Sequence, residues 1–145
     1  MILNISKNIY QQISNHLIDA YPNEGAGFLL GYTKNHNRTV RMILALVNEW
    51  ETKEQTNRYK ISAKAYMNAE DVAEQKGLDL IGVFHSHPDS PANPSEYDRE
   101  FALPWWSYLI ISINNNKVDH AKCWVLDDDR NQFIEEIFNI VNFAI

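Results

Sequence analysis

Apolar residues recur at Ile9, Ile13, Leu17 and Ala20, the spacing of one helical face, behind a Ser6 that can cap the first turn. Pro22 ends that helix, and Glu24-Gly25 leads into Gly27-Phe28-Leu29-Leu30-Gly31, which reads as a short buried strand. The polar run over 34–38 predicts a turn, and 40–47 the second strand of a hairpin. Residues 49–58 show no periodicity and read as a loop, after which Tyr59-Lys60-Ile61 predicts a short strand. Ser62 can cap a second helix, with Ala65, Ala69, Val72 and Ala73 on one face and Gly77 at its end.

The most strand-like run, 78–84, delivers the chain into His85 and His87. A proline-rich loop follows, then a short helix over 95–102 capped by Ser95, and strands over 108–113, 121–126 and 133–138. Strands dominate without a strict β-α-β alternation. The expected fold class is therefore α/β in the broad sense (α+β): a mixed, mostly antiparallel sheet flanked by two main helices and a short one. No repeat, low-complexity tract or linker interrupts the pattern, so residues 1–145 read as a single domain.

Charge and composition narrow the function classes. A formal net charge of -6 argues against broad nucleic-acid binding, which needs a basic surface. The one cysteine, Cys123, excludes an internal disulfide and sits in an alternating apolar stretch, where it reads as a small buried hydrophobe. With neither a signal-peptide pattern nor an apolar run long enough to span a bilayer, a cytoplasmic location is expected.

The chemistry gathers in His85-Ser86-His87-Pro88 and the residues that follow. Side chains two apart on a strand share a face, so Ile81, Val83, His85 and His87 are expected on one side. Two such imidazoles can reach one metal, and Pro88 turns the chain away. If Ser95 starts a helix, Ser95 and Asp98 stand at i and i+3 and face the same way. Asp98 then supplies a third ligand, and two histidines, an aspartate and an open position describe a catalytic zinc site rather than a closed structural one. Zinc held this way lowers the pKa of its water toward ~7. Glu24 is the candidate general base, and Ser95 the donor to the oxyanion. His-X-His alone is weak; Glu24, His85, His87, Ser95 and Asp98 together are not.

These residues resemble the signature of the JAMM (MPN-plus) zinc metalloproteases, and within that family its small bacterial members of the CysO-cysteine peptidase type. Tyr21-Pro22-Asn23-Glu24 with Gly27–Gly31 resembles the opening block, Arg58-Tyr59-Lys60-Ile61-Ser62 the segment before the metal motif, and Gly77–Phe84 the strand entering it. One departure is Ala26, where the family often has cysteine. The resemblance implies a cytidine-deaminase-like three-layer domain with one Zn2+, held by His85, His87 and Asp98, with Glu24 as base and Ser95 at the oxyanion. It implies cleavage after the C-terminal Gly-Gly of a ubiquitin-like protein, here a sulfur carrier of ThiS/MoaD type, and it allows a homodimer. A diglycine tail needs a narrow slot beside a strand edge, for which the 49–58 loop and Tyr59 are candidate walls and Trp105-Trp106 a candidate ledge. Two rivals stand beside this reading. A non-catalytic scaffold of the same fold would be expected to lose ligands that are present here. A deaminase-like zinc hydrolase would need His-X-Glu and Cys-X-X-Cys motifs that are absent.

Overall fold

The computed structural model describes residues 1–47 and 59–142. In chain order the elements are β1 (Ile2–Ser6), α1 (Lys7–Ala20), β2 (Ala26–Lys34), β3 (Asn37–Leu46), α2 (Ala63–Gln75), β4 (Asp79–Pro88), α3 (Glu96–Phe101), β5 (Ser107–Asn114), β6 (Lys117–Leu126) and β7 (Phe133–Val141). The sheet runs β1-β3-β2-β4-β5-β6-β7 and closes on itself, because β1 pairs in parallel with both β3 and β7. The β4–β5 pairing is also parallel, and the remaining four are antiparallel. The mixed α+β class is as expected, whereas the closure is not. It depends on β1, a five-residue strand that runs into α1 with no turn between them.

The caps sit where the sequence puts them. Ser6 Oγ accepts from the Ile9 amide and Ser62 Oγ from the Ala65 amide, each at 3.1 Å, so both main helices start on a serine that satisfies an otherwise orphaned donor. Gly77 follows α2 in the left-handed region at φ 67°, a conformation a side chain would disfavour. Tyr59–Ile61 belongs to neither a strand nor a helix, contrary to the expected strand, and leads into the Ser62 cap.

Two apolar cores lie on opposite faces of the sheet. On one, Ile13 and Leu17 of α1 pack against Leu3, Ile5, Leu29, Phe84 and Ile111. On the other, Ala69 and Ala73 of α2 pack against Phe28, Leu30, Val83 and Tyr108. The strand carrying the histidines changes parity between them. Leu29 pairs with Gly82 but Leu30 with Leu80, so Ile81 is an extra residue in the ladder. Ile81 consequently packs with the α1 core while Val83 packs with the α2 core, correcting the expectation that both share a face with the histidines. A period-two pattern is blind to one inserted residue. Beyond it the alternation is regular, and β4 continues through His87.

Candidate active site

His85 and His87 lie at the carboxyl end of β4, two residues apart on the α2 face. His85 has no exposed surface and His87 only 8%. The strand then leaves through a loop whose fixings come from β5 and β6. The Asp89 amide donates to the Ile113 carbonyl at 2.8 Å, Ser112 Oγ to the Ser90 carbonyl at 2.6 Å, and Trp124 Nε1 to the Ala92 carbonyl at 3.0 Å. His120, which looks like a surface residue in the sequence, takes part: its Nε2 lies 3.0 Å from the Ala92 amide and its Nδ1 2.6 Å from Asp119. This loop sets the third residue of the site, because it ends on the Ser95 cap of α3. Ser95 Oγ accepts from the Asp98 amide at 3.0 Å, and Asp98 Oδ2 accepts from the Ser95 amide at 2.9 Å, a reciprocal capping box.

Asp98 is thereby turned toward the histidines. Its Oδ2 lies 3.1 Å from His87 Nε2 and its Oδ1 3.5 Å from His85 Nε2. The opposite edge of His87 is fixed by the Pro91 carbonyl, 2.8 Å from Nδ1. A proton held on that nitrogen leaves the Nε2 lone pair free for a metal, the usual orientation of a ligating imidazole. Glu24, from the turn before β2, approaches His85 from the other side, with Oε1 3.5 Å from Nδ1. The ring of Tyr59 covers His85, stacked at 4.5 Å between centroids.

The electrostatics follow from this packing. Burial pushes the Asp98 carboxyl up, but His85, His87 and the Ser95 amide outweigh it and bring it down to about 2. Burial pushes the His85 imidazolium down, and the Asp98 and Glu24 carboxylates overcome it, leaving the group raised. Burial, with Asp98 behind it, drives the Tyr59 phenol well up, so its ring is a neutral wall.

The fit of this pocket to a metal rests on His85. Both of its ring nitrogens are buried with no hydrogen-bond partner among the described residues. Such a group normally carries a penalty of about 1–3 kcal/mol per unpaired atom, which ligation would remove. One donor atom each from Glu24, His85 and His87 lies within 4.8 Å of the others, and Asp98 faces the Nε2 atoms of both histidines. Two imidazoles and a carboxylate converging on one point suit a divalent ion of zinc type.

The sequence-predicted residues Glu24, His85, His87, Ser95 and Asp98 therefore come together, with Tyr59 against them. The tryptophans do not. Trp105 is 65% exposed and precedes Ser107, which pairs with Gly82 near the start of β4, at the end away from the histidines. Trp106 packs into the α2 core against Tyr66. The 49–58 loop lies outside the described residues. Sequence reasoning missed an aromatic cavity of about 310 Å³ lined by Tyr59, Lys60, Ile61, Tyr66, Tyr97 and Phe101. The Tyr97 hydroxyl donates to the Tyr59 carbonyl at 3.1 Å, joining α3 to the segment that covers His85. No spacing signals this cavity, because its walls come from three separate segments.

A closed mixed sheet brings a buried histidine pair at the end of β4 together with the Glu24 and Asp98 carboxylates, a set that fits a metal ion on an α+β scaffold. Residues 6–127 match the family described as prokaryotic homologs of the JAB domain, and the chain belongs to that family. Among curated relatives, a "Probable TtuB-protein conjugate cleaving protease" of Thermus thermophilus is 29% identical over 77% of this chain and 70% of its own. A "Desampylase" of Pyrococcus furiosus is 31% identical over 72% and 68% respectively. Among solved structures, a protein of Desulfitobacterium hafniense superposes with a TM-score of 0.85 at 27% identity, covering 98% of this chain and 94% of the other. A JAB1/MPN domain protein of Archaeoglobus fulgidus, at 18% identity and a TM-score of 0.59, covers 96% and 99% and shares the fold.

Proposed function

We propose that this protein is a zinc-dependent peptidase or isopeptidase that hydrolyses the bond after the C-terminal Gly-Gly of a ubiquitin-like protein, with a sulfur carrier of ThiS/MoaD type as the favoured substrate. The observation that carries the reading is the buried His85, whose two nitrogens make no hydrogen bond among the described residues and face the Glu24 and Asp98 carboxylates at 3.5 Å each. Family membership and a relative named for cleaving protein conjugates support it.

In this reading His85, His87 and Asp98 hold the ion. When bound, it would acidify a water toward ~7 and polarise the scissile carbonyl. The chain's own groups do the rest. Glu24 takes the proton of the attacking water and returns it to the departing nitrogen, so one carboxylate serves both steps. Ser95 Oγ accepts from the Asp98 amide and keeps its own proton to donate to the oxyanion. Such a donor contributes about 3 kcal/mol in comparable sites. Pro91 holds His87 in one tautomer, and Tyr59 shields His85 from water. The cavity beside Tyr59 is the wall we assign to the residues preceding the diglycine.

The test is intact-mass analysis of a C-terminally extended ubiquitin-like sulfur carrier, and of an isopeptide-linked conjugate of it, after incubation with zinc-loaded protein. Cleavage after Gly-Gly is expected, reduced by about 10²–10⁴-fold in Glu24→Gln, while that variant keeps its zinc. Full activity in Glu24→Gln would remove that residue from the mechanism. No cleavage of either substrate by the zinc-loaded wild type would overturn the substrate class.

A further inference from the structure

Ser86, between the two histidines, points away from them. Phe84, two residues earlier on the same face, lies in the apolar core beneath α1, and Ser86 itself has no exposed surface. A hydroxyl at such a position is costly unless it has a partner. Its partner is the Gly25 amide, which donates to Ser86 Oγ at 2.9 Å, while the Ser86 amide donates to the Gly25 carbonyl at 3.0 Å. The antiparallel pairing of β2 with β4 ends at Ala26 and His85. One step beyond, where the chain departs from the sheet toward Glu24, a side chain supplies the acceptor and both polar groups of residue 25 are held.

The rest of the segment is built for close approach at this point. A Cβ on Gly25 would come within 2.9 Å of Leu17 Cδ2 and 3.0 Å of Ala20 Cβ, so α1 presses the turn onto β4. His16 Nε2 lies 3.1 Å from the Ala26 carbonyl, and the Tyr21 hydroxyl donates to Asp89 at 2.8 Å. These contacts fix residues on either side of Glu24, and Ser86 grips the peptide unit next to it from the strand that carries His85 and His87.

We propose that Ser86 is the positioning residue for Glu24: its hydroxyl locks the base-bearing turn in register with the metal-binding strand. The proposal rests on the reading of Glu24 as general base and adds that its placement is controlled from between the ligands. Displacing a catalytic group by about 1 Å costs about a hundredfold in rate, so a single hydrogen bond at this point is enough to matter.

The experiment compares Ser86→Ala, Ser86→Thr and Glu24→Gln in the zinc-loaded protein on the extended carrier, reading kcat, KM, zinc stoichiometry and hydrogen exchange at the Gly25 amide. The expected result for Ser86→Ala is a fall in kcat of up to about a hundredfold with KM and zinc content unchanged and Gly25 protection lost. Ser86→Thr, which keeps the hydroxyl, should restore both kcat and protection. Unchanged kcat in Ser86→Ala, or a loss explained by lost zinc, overturns the proposal. Gly25 exchange needs no substrate. If the wild type cleaves nothing, the substrate reading falls, while unaltered Gly25 protection in Ser86→Ala sinks the clamp separately.

Discussion

Two buried polar clusters occupy this sheet, and the same folding problem is solved differently in each. At the carboxyl end of β4, Glu24 and Asp98 face two imidazoles. Toward the other end of the strands, Arg38 of β3 donates from Nη1 to Ser107 Oγ at 2.8 Å and from Nη2 to the Trp105 carbonyl. Glu136 of β7 accepts from Cys123 Sγ at 3.1 Å. Burial pushes the Arg38 guanidinium down, and the Glu136 carboxylate opposes it. The thiol of Cys123 is pushed well up, by burial first and by Glu136 next. The second cluster thus contains its own cation and its own anion. The first has acceptors and lone pairs facing one another and no permanent cation among its side chains. Both are buried, and both have unpartnered atoms (Arg38 Nε and Glu136 Oε2 in the second). Unsatisfied buried atoms therefore point to a metal only where, as at His85, they are imidazole nitrogens facing carboxylates with no permanent cation beside them.

Removing the ion should affect only the first cluster. Chelation, or His85→Ala, is expected to abolish cleavage, with zinc restoring activity to the chelated wild type but not to the variant. Zinc at a hundred times its dissociation constant should stabilise the wild type by about 2.7 kcal/mol, read as a saturable rise in Tm. A Tm indifferent to zinc would place no ion in the first cluster and erase the contrast.

Arg38→Met attacks the other side of the comparison. It leaves Glu136 buried without its counter-charge and the Trp105 carbonyl without its donor. A loss of about 1–3 kcal/mol in urea unfolding is expected from the lost hydrogen bonds to Ser107 and Trp105, with zinc content unchanged in the folded protein. Adding Glu136→Gln should return part of the loss, because the second change removes the stranded charge. If Arg38→Met cost nothing, the second cluster would not be the self-balanced group argued above.

The two clusters were unequally legible in the sequence. His85, His87, Ser95 and Asp98 could be read because strand alternation and a helix N-cap impose local spacings, and the chemistry needs those residue types. Glu24 joined them only through the overall pattern. Arg38, by contrast, ends a polar run that looks like a turn, and Glu136 stands beside Glu135 in a strand whose outward positions are polar. Nothing local distinguishes the buried member of such a pair, and the partner strands are far apart in sequence. The β1 closure and the extra residue at Ile81 were hidden for a related reason. Each is decided by which strands pair, and periodicity carries no record of pairing. Ser86 did carry a trace, as a serine two residues after Phe84 on the apolar face of β4.

A smaller effect sharpens the contrast by asking how firmly the first cluster is held from outside. Arg130 is in the left-handed region at φ 62° in the turn before β7, and its guanidinium donates to the carbonyls of Ala102 at 2.7 Å, Glu100 at 2.9 Å and Arg99 at 3.3 Å. Those are carbonyls of the last turn and C-cap of α3, which the helix cannot satisfy itself, and a cation there also interacts favourably with the helix dipole. Arg99 returns the contact by donating to the Arg130 carbonyl at 2.9 Å. Asp98 is thus capped from its N-terminal side by Ser95 and braced from its C-terminal side by a residue with no part in the chemistry. Arg130→Ala should cost about 1 kcal/mol of stability. If α3 is the adjustable ligand arm of the site, the same variant should weaken zinc affinity measurably, since an arm that frays holds its carboxylate for less of the time. Arg38→Met, at a larger cost in stability, should leave that affinity alone. Equal zinc affinity in Arg130→Ala and wild type would mean that the Ser95 cap alone fixes Asp98.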